Sequence, residues 1–381
     1  MLKVLFPSIR NLRSLPPVIN VINCLGSELA NVTVVSYDLD KDSFLKEIEV
    51  ITVSEIKYPK SLLARIKAKS KAYLFMYYYL YKNARNFDYI WIGTWDYKFL
   101  DHIARVFGFK GKIIYHFHEL EFEKLKYCRK ADFTIVPEEN RLWITYFIGK
   151  LRKRPLLLPN IPFLPFIEFN KIPKELQTLK EEGRRIVLYQ GLIDFQKRCL
   201  NELLVAMSFL PETIVLVIMP MPSTDKSIIQ QLRNRITELN LGTKVFIIKS
   251  QPPPYHLNYI KYADLGIGLY RPITLNQIYA APNRLFEFTK FAIPIVLPDF
   301  PAFKSLSSLY RNGIITVNPE SSKEISEAIA QVFEKNKLEE ARSQAKLFFE
   351  QNANYEEQVC KLWKKVTNYD EESSYNIRNT P

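Results

Sequence analysis

The sequence predicts an α/β protein of two domains, each a parallel, doubly wound sheet covered by helices. Three observations carry this. Short, near-continuous apolar runs alternate with longer helical patterns, the signature of strands buried on both faces. The alternation occurs twice, on either side of the proline-rich stretch PLLLPNIPFLPF at residues 155–166. The chain has 381 residues, 47% of them apolar, which is enough for two cores.

In the first series, residues 3–8 read as a strand and 16–25 as a helix. Residues 32–37 and 48–53 are strands, and 60–85 is a long helix. A strand at 89–93, a helix at 98–107 and strands at 112–117 and 133–136 follow. The four prolines of 155–166 exclude a regular helix, and the stretch reads as an ordered crossing between domains. In the second series, strands at 186–190, 214–219, 244–248 and 265–269 alternate with helices at 198–210, 226–239 and 255–262. A helix opened by Pro282, a strand at 293–297, a strand at 314–317 and a helix at 323–335 follow. Residues 338–366 read as amphipathic helix. The domains are expected at 1–165, with a C-terminal helix at about 350–370, and at 166–349. Ligands of open α/β sheets bind at the carboxyl ends of the strands, so a cleft between the two sheets is the expected site.

A net charge of +13 favours anionic partners: nucleic acid, anionic lipid or phosphorylated substrates. The four cysteines, Cys24, Cys128, Cys199 and Cys360, show neither metal-ligand spacing nor a disulfide framework, which fits a reducing compartment. The N-terminus MLKVLFPSI reads as a strand and lacks a signal-peptide cleavage site. No apolar run approaches a membrane span. A cytoplasmic protein, soluble or peripheral at the inner face of the plasma membrane, is expected.

The most informative stretch is PNRLFEFTKFAIPIV, residues 282–296. A helix N-terminus offers unpaired N–H groups and partial positive charge, which can hold a phosphate. Glu287, one turn in, can accept hydrogen bonds from sugar hydroxyls. Asn283 and Glu287 are four apart and share a face. The second domain opens with RRIVLYQGLIDFQKRCLNELLVAM, residues 184–207. Gly191 ends the strand and permits close backbone approach. Lys197 and Arg198 are expected to open the next helix, where they oppose its dipole and so call for an anion. A solvated basic turn is the alternative.

These two segments, with KYADLGIGLY at 261–270 and PNRLFEFTKFAIPIVLPDFPAF at 282–303, resemble the donor half of family 4 (group 1) glycosyltransferases of the GT-B fold. The likeness is strongest over residues 184–335. The first half resembles the family in outline, in KVLFPS, VTVVSYD, YHFHEL, ADFTIVPEEN and LLPN, and NANYEEQVCKLWKKV resembles its final helices, which cross back to the first domain. The resemblance implies two Rossmann-like domains facing across a cleft. It also implies a hexosyl or related transfer from a nucleoside-diphosphate sugar, with no cofactor and no metal. Carried onto this sequence, Glu287 would meet the donor ribose, Asn283 and Arg284 the diphosphate, and Lys197 and Arg198 the phosphates. Three positions depart from the family pattern. Leu192 replaces an arginine, Tyr279 stands where a second glutamate often lies, and Ala292 replaces a glycine. Asn276 and Gln277 are therefore the candidate contacts to the donor sugar.

In the first domain, His116 and His118 share one strand face. His118 resembles the family's histidine near the reacting sugar, and Glu119 follows it; a structural pair or, without a third ligand, a metal site are the alternatives. Arg10 and Arg13 are candidate contacts to an anionic acceptor, with Trp95 and Asp96 as weaker ones. Asp38-Leu39-Asp40 matches a metal-binding DxD pattern but reads as an acidic turn. Gly266 and Gly268 do not open a helix, so the dinucleotide fingerprint fails. Residues 57–85 hold eight basic residues, no acid and a run of tyrosines; they fit an anionic membrane surface or an ordinary domain helix.

The expected function is transfer of a sugar, with retention, to a hydroxyl of a glycan or lipid-linked acceptor in cell-surface polysaccharide synthesis. A sugar-nucleotide epimerase of the same fold, an inactive GT-B subunit and a basic nucleic-acid-binding protein are the alternatives; no nucleic-acid partner is expected on the favoured reading.

Overall fold

The computed structural model describes residues 1–8, 12, 15–37, 44, 48–53, 62–93, 97–161, 169–252 and 254–368. The chain divides into two compact units, Met1–Phe163 with Tyr355–Pro381, and Leu164–Asn354.

In the first unit, β1 (Lys3–Pro7), β2 (Asn31–Tyr37), β3 (Glu49–Val53), β4 (Tyr89–Ile92), β5 (Lys112–His116), β6 (Phe133–Val136) and β7 (Leu156–Leu157) form one sheet in the order β3-β2-β1-β4-β5-β6-β7. Every pairing is parallel. β4 is buried at all four positions, the pattern of a strand covered on both faces. On one face, Met76, Leu80, Leu100, Ala104, Leu125 and Leu142 pack from successive helices onto Leu5, Ile90, Ile113 and Tyr115. The final helix Tyr355–Thr367 packs on helix Pro16–Glu28.

In the second unit, β8 (Arg185–Gly191), β9 (Ile214–Pro220), β10 (Val245–Ile247), β11 (Leu265–Ile267), β12 (Ile295–Pro298) and β13 (Ile314–Val317) form a parallel sheet in the order β10-β9-β8-β11-β12-β13. Both orders place the first strand of the series beside the fourth. The connections therefore run outward from a central reversal, which is the doubly wound pattern.

An aspartate just before a strand recurs three times. Asp88, Asp132 and Asp264 precede β4, β6 and β11, and each accepts an N–H from the first or second residue of a neighbouring strand: Lys3 at 2.8 Å, Ile113 at 2.8 Å and Ile186 at 2.9 Å. These carboxylates fix the register of adjacent strands.

Several expectations change. Part of the proline-rich stretch, Leu156–Leu157, is an edge strand paired with β6. Flanking prolines are tolerated there because an edge needs hydrogen bonds on one side only. The helix expected from 198 begins at Leu200, so Lys197 and Arg198 lie in the preceding turn. Cys199 adopts φ +51°, and Asp194 Oδ1 accepts the N–H groups of Gln196 and Lys197, both at 2.9 Å, which holds the chain in a turn. The helical segment expected over 338–366 comprises two helices, Lys337–Asn352 in the second unit and Tyr355–Thr367 in the first. Helices Glu139–Gly149, Lys174–Glu181, Leu275–Ile278 and Pro301–Leu309 were not anticipated from the sequence.

Candidate functional site

The strand order of the second sheet reverses between β8 and β11, and open sheets bind ligands outside the strand ends at such a reversal. Gly191 closes β8 at φ +127°, a conformation that side chains disfavour. A Cβ there would stand 3.4 Å from Arg284 Nη2. Arg284, the second residue of helix Asn283–Lys290, places its guanidinium over the Tyr189 ring at 5.5 Å and donates to the Ile267 carbonyl at 3.5 Å. Arg198 reaches the same place from the turn after β8 and lies over the Tyr270 ring at 5.6 Å. Burial lowers the pKa of Arg198, and the positive charge of Arg284 lowers it further. Its Nε is buried with no partner among the described residues. Two guanidiniums stacked on two tyrosine rings beside the half-buried strand end at Gly191 are an arrangement that can hold an anion.

The helix itself adds to this site. Asn283 is its first residue, and among the described residues no side chain caps its N-terminus. The N–H groups of a first turn have no intrahelical acceptor and suit an anion. The helix can sit this close to the sheet because Gly266 on β11 leaves room for Phe288; a Cβ on Gly266 would meet that ring at 2.5 Å.

Glu287 is buried one turn further along, 9% exposed. Its Oε2 accepts from Gln190 Nε2 at 2.7 Å, and its Oε1 stands 3.5 Å from His256 Nε2. These contacts run to β8 and to the start of helix Leu257–Lys261, not along its own helix to Arg284 or Lys290.

The other residues singled out are placed as follows. Lys197 is exposed, and its backbone is held by Asp194 and by the Arg271 N–H at 2.9 Å. Asn276 and Gln277 are half-buried on the short helix Leu275–Ile278. Gln277 Oε1 accepts the Thr274 N–H at 2.9 Å, so this side chain caps its own helix. Tyr279 ends the same helix. Gln190, His256, Tyr189 and Tyr270 were missed. Their only sequence signal is adjacency: Gln190 precedes the strand-ending glycine, and His256 follows the prolines at 252–254.

In the first unit, His116 ends β5 and His118 follows it, both buried, with ring centroids 3.9 Å apart. Burial, then the neighbouring His118, holds His116 well below the usual imidazole range. Burial lowers His118 to about 4; Asn160 works in the opposite direction, and Arg141 lowers it again. Arg141 donates to the His118 carbonyl. Both rings are therefore neutral at pH 7. Glu119 is half-buried after them. Arg10, Arg13, Asp38–Asp40, Trp95 and Asp96 lie outside the described residues, as does the start of 57–85. Among the described residues no group of three or more metal-ligating side chains occurs, and no helix is long and apolar enough to cross a membrane.

No family model matches the sequence, and no curated protein matches it. Solved structures do. Alr3699/HepE of Anabaena in complex with UDP is similar with a TM-score of 0.71 and 13% identity, over 97% of this chain and 100% of that one. A glycosyltransferase from Rickettsia africae gives 0.71 and 13%, over 96% and 98%. The trehalose-6-phosphate synthase OtsA gives 0.67 and 15%, over 97% and 98%. With two parallel doubly wound sheets and this likeness to glycosyltransferase structures, the chain has the GT-B fold.

Proposed function

We propose that this protein is a glycosyltransferase that moves a sugar from a nucleoside diphosphate to an acceptor hydroxyl. One observation carries the reading. Arg198, Arg284 and an uncapped helix N-terminus converge beside Gly191, and the buried carboxylate Glu287 lies one turn away on the same helix. The cations suit a diphosphate and the carboxylate suits a ribose diol. HepE structures hold UDP and UDP-glucose, which supports a uridine nucleotide as the donor here.

Chemistry follows from charge. Breaking the anomeric bond leaves negative charge on the departing diphosphate. Arg198, Arg284 and the helix N-terminus stabilise that charge more in the transition state than in the ground state. Lys197, exposed and adjacent to Arg198 in the chain, is a further candidate cation. His118, neutral at pH 7, suits a hydrogen bond to a sugar hydroxyl but not electrostatic work. Nothing in this chemistry calls for a metal. The resemblance to family 4 enzymes supports retention at the anomeric carbon and a glycan or lipid-linked acceptor in cell-surface polysaccharide synthesis.

Titration calorimetry with UDP, GDP and ADP tests the reading, followed by transfer assays on the matching sugar conjugate with the anomer read by NMR. One nucleoside diphosphate should bind, and Glu287→Ala should abolish transfer in a folded protein. Normal turnover in that variant would overturn the assignment.

A further inference from the structure

We propose that Gln190 and His256 are positioning residues that aim the Glu287 carboxylate at the hydroxyls of the donor's ribose, and so set a preference for ribonucleotides over deoxyribonucleotides. The proposal rests on the nucleotide-sugar reading above and deepens it.

The three side chains come from three elements that meet at one point. Gln190 is the penultimate residue of β8, His256 directly precedes helix Leu257–Lys261, and Glu287 lies in the middle of helix Asn283–Lys290. Gln190 donates to one carboxylate oxygen at 2.7 Å, and His256 faces the other at 3.5 Å. Gln190 thus holds one carboxylate oxygen by a hydrogen bond while His256, from a separate element, stands within ion-pair distance of the other, and together they restrict rotation about the terminal bond of Glu287. A carboxylate accepts about four hydrogen bonds. Two partners leave about two positions open, the number a cis-diol needs.

These partners cost the fold something that packing alone does not explain. Gln190 Oε1 and His256 Nδ1 are both buried without a partner among the described residues. An unpaired buried polar atom costs about 1–3 kcal/mol, and Gln190 is only 7% exposed. Its neighbours on β8, Leu188 and Tyr189, are fully buried, so an apolar side chain at 190 would fit the strand without that cost. The amide and the imidazole make sense as holders of Glu287. Local polar frustration of this kind concentrates at functional sites. Nε2 of His256 faces the carboxylate, and Nδ1 is the unpaired atom.

Calorimetry with UDP and 2′-deoxy-UDP tests this on the full-length wild type and on Gln190→Leu, His256→Phe and His256→Gln. The wild type should bind UDP roughly 10-fold or more tightly than 2′-deoxy-UDP, the worth of one hydrogen bond to a charged group. In Gln190→Leu and His256→Phe that ratio should fall towards one, because UDP loses two aimed hydroxyl contacts and weakens more than 2′-deoxy-UDP, which has only the 3′-hydroxyl to lose. His256→Gln, which retains a donor, should restore much of the ratio. Equal weakening of both ligands would mean a general structural role and overturn the proposal. A ratio that survives both substitutions would overturn it as well. If the folded wild type binds no nucleoside diphosphate, the donor reading itself fails, and this inference with it.

Discussion

The guanidinium of Arg284 lies close enough to Arg198 to lower that residue's pKa, after burial has already lowered it. Two like charges are held together by the stacking of each on a tyrosine ring, Arg198 on Tyr270 and Arg284 on Tyr189. Such a pair is strained without an anion and relieved with one. Pyrophosphate should therefore raise the melting temperature of the wild type, by an amount that grows with the logarithm of its concentration above Kd. Arg284→Gln should bind UDP roughly 10- to 100-fold more weakly, while the unliganded variant melts no lower than the wild type. An unchanged affinity in calorimetry would remove Arg284 from the phosphate site.

Asp264 is 3% exposed, accepts the Ile186 N–H at 2.9 Å and pairs with Arg342 at 2.9 Å and Lys180 at 3.4 Å. Asp264→Ala removes the acceptor, leaves the Ile186 N–H and Lys180 unpaired and leaves Arg342 with Glu339 alone. A loss of about 3 kcal/mol is expected for a broken buried pair, read from urea unfolding of the full chain. Asp88→Ala, whose bond to Lys3 is exposed, should cost about 1 kcal/mol. Equal effects at the two sites would contradict the burial argument.

Asp264 also shows what the sequence did and did not reveal. ADFTIVP and KYADLGIGLY stand out as motifs, and their aspartates turn out to hold strand register. The strands themselves were legible because both faces of each sheet are covered, which makes the apolar runs continuous. The helix Asn283–Lys290 that carries Arg284 and Glu287 was legible because Pro282 opens a helical pattern there. Gln190 and His256 were not, since their roles depend on three elements meeting and no local pattern encodes that. The start of helix Leu200–Ser208 was misplaced for a similar reason. A left-handed Cys199 and the Asp194 side chain, not a propensity signal, decide where the turn ends.

The buried histidines make stability pH-dependent with a definite sign. His116 is held well below 6.5 and His118 at about 4, both first through burial. In the unfolded chain both titrate near about 6.5. Their neutral forms contribute fully above that value. As pH falls below it, the unfolded state takes up protons that the native state refuses, and stability is lost until the folded pKa is passed, near 4 for His118. The slope is about 1.4 kcal/mol per pH unit for each histidine. His118→Gln should reduce that slope by one histidine's share between pH 6 and about 4.5, measured by urea unfolding across pH. A slope identical to the wild type would show that His118 is protonated in the native state.

Helix Leu62–Asn83 carries a solvent-facing apolar stripe. Leu63, Ile66, Leu74, Tyr78 and Tyr81 are 81%, 55%, 68%, 61% and 61% exposed, three to eight residues apart, and Lys67, Lys71 and Lys82 are exposed among them. Leucines and tyrosines outward among lysines suit the headgroup region of an anionic bilayer. Reversing these three lysines to glutamate should weaken sedimentation with phosphatidylglycerol vesicles by roughly 100-fold or more, at about 1 kcal/mol per lysine lost. Phosphatidylcholine vesicles should bind weakly with or without the change. Equal binding of wild type and variant to the anionic vesicles would leave the stripe without a membrane role.

Ala292 adopts φ +56° directly after helix Asn283–Lys290 and its cap Phe291. The Ile293 N–H donates to the Phe288 carbonyl at 3.1 Å and the Ala292 N–H to the Thr289 carbonyl at 3.0 Å. This is the Schellman arrangement, in which the left-handed position is usually glycine. A side chain there costs about 1–2 kcal/mol, partly offset in Gly by the greater freedom of the unfolded chain. Ala292→Gly should therefore stabilise the second unit by about 0.5–1 kcal/mol, seen as a higher urea midpoint at unchanged slope. The helix it terminates carries Arg284 in its first turn and Glu287 at its middle, so UDP affinity should stay within about 2-fold of wild type if the cap acts on stability alone. A lower midpoint would mean that the alanine methyl makes contacts worth more than the backbone strain it imposes.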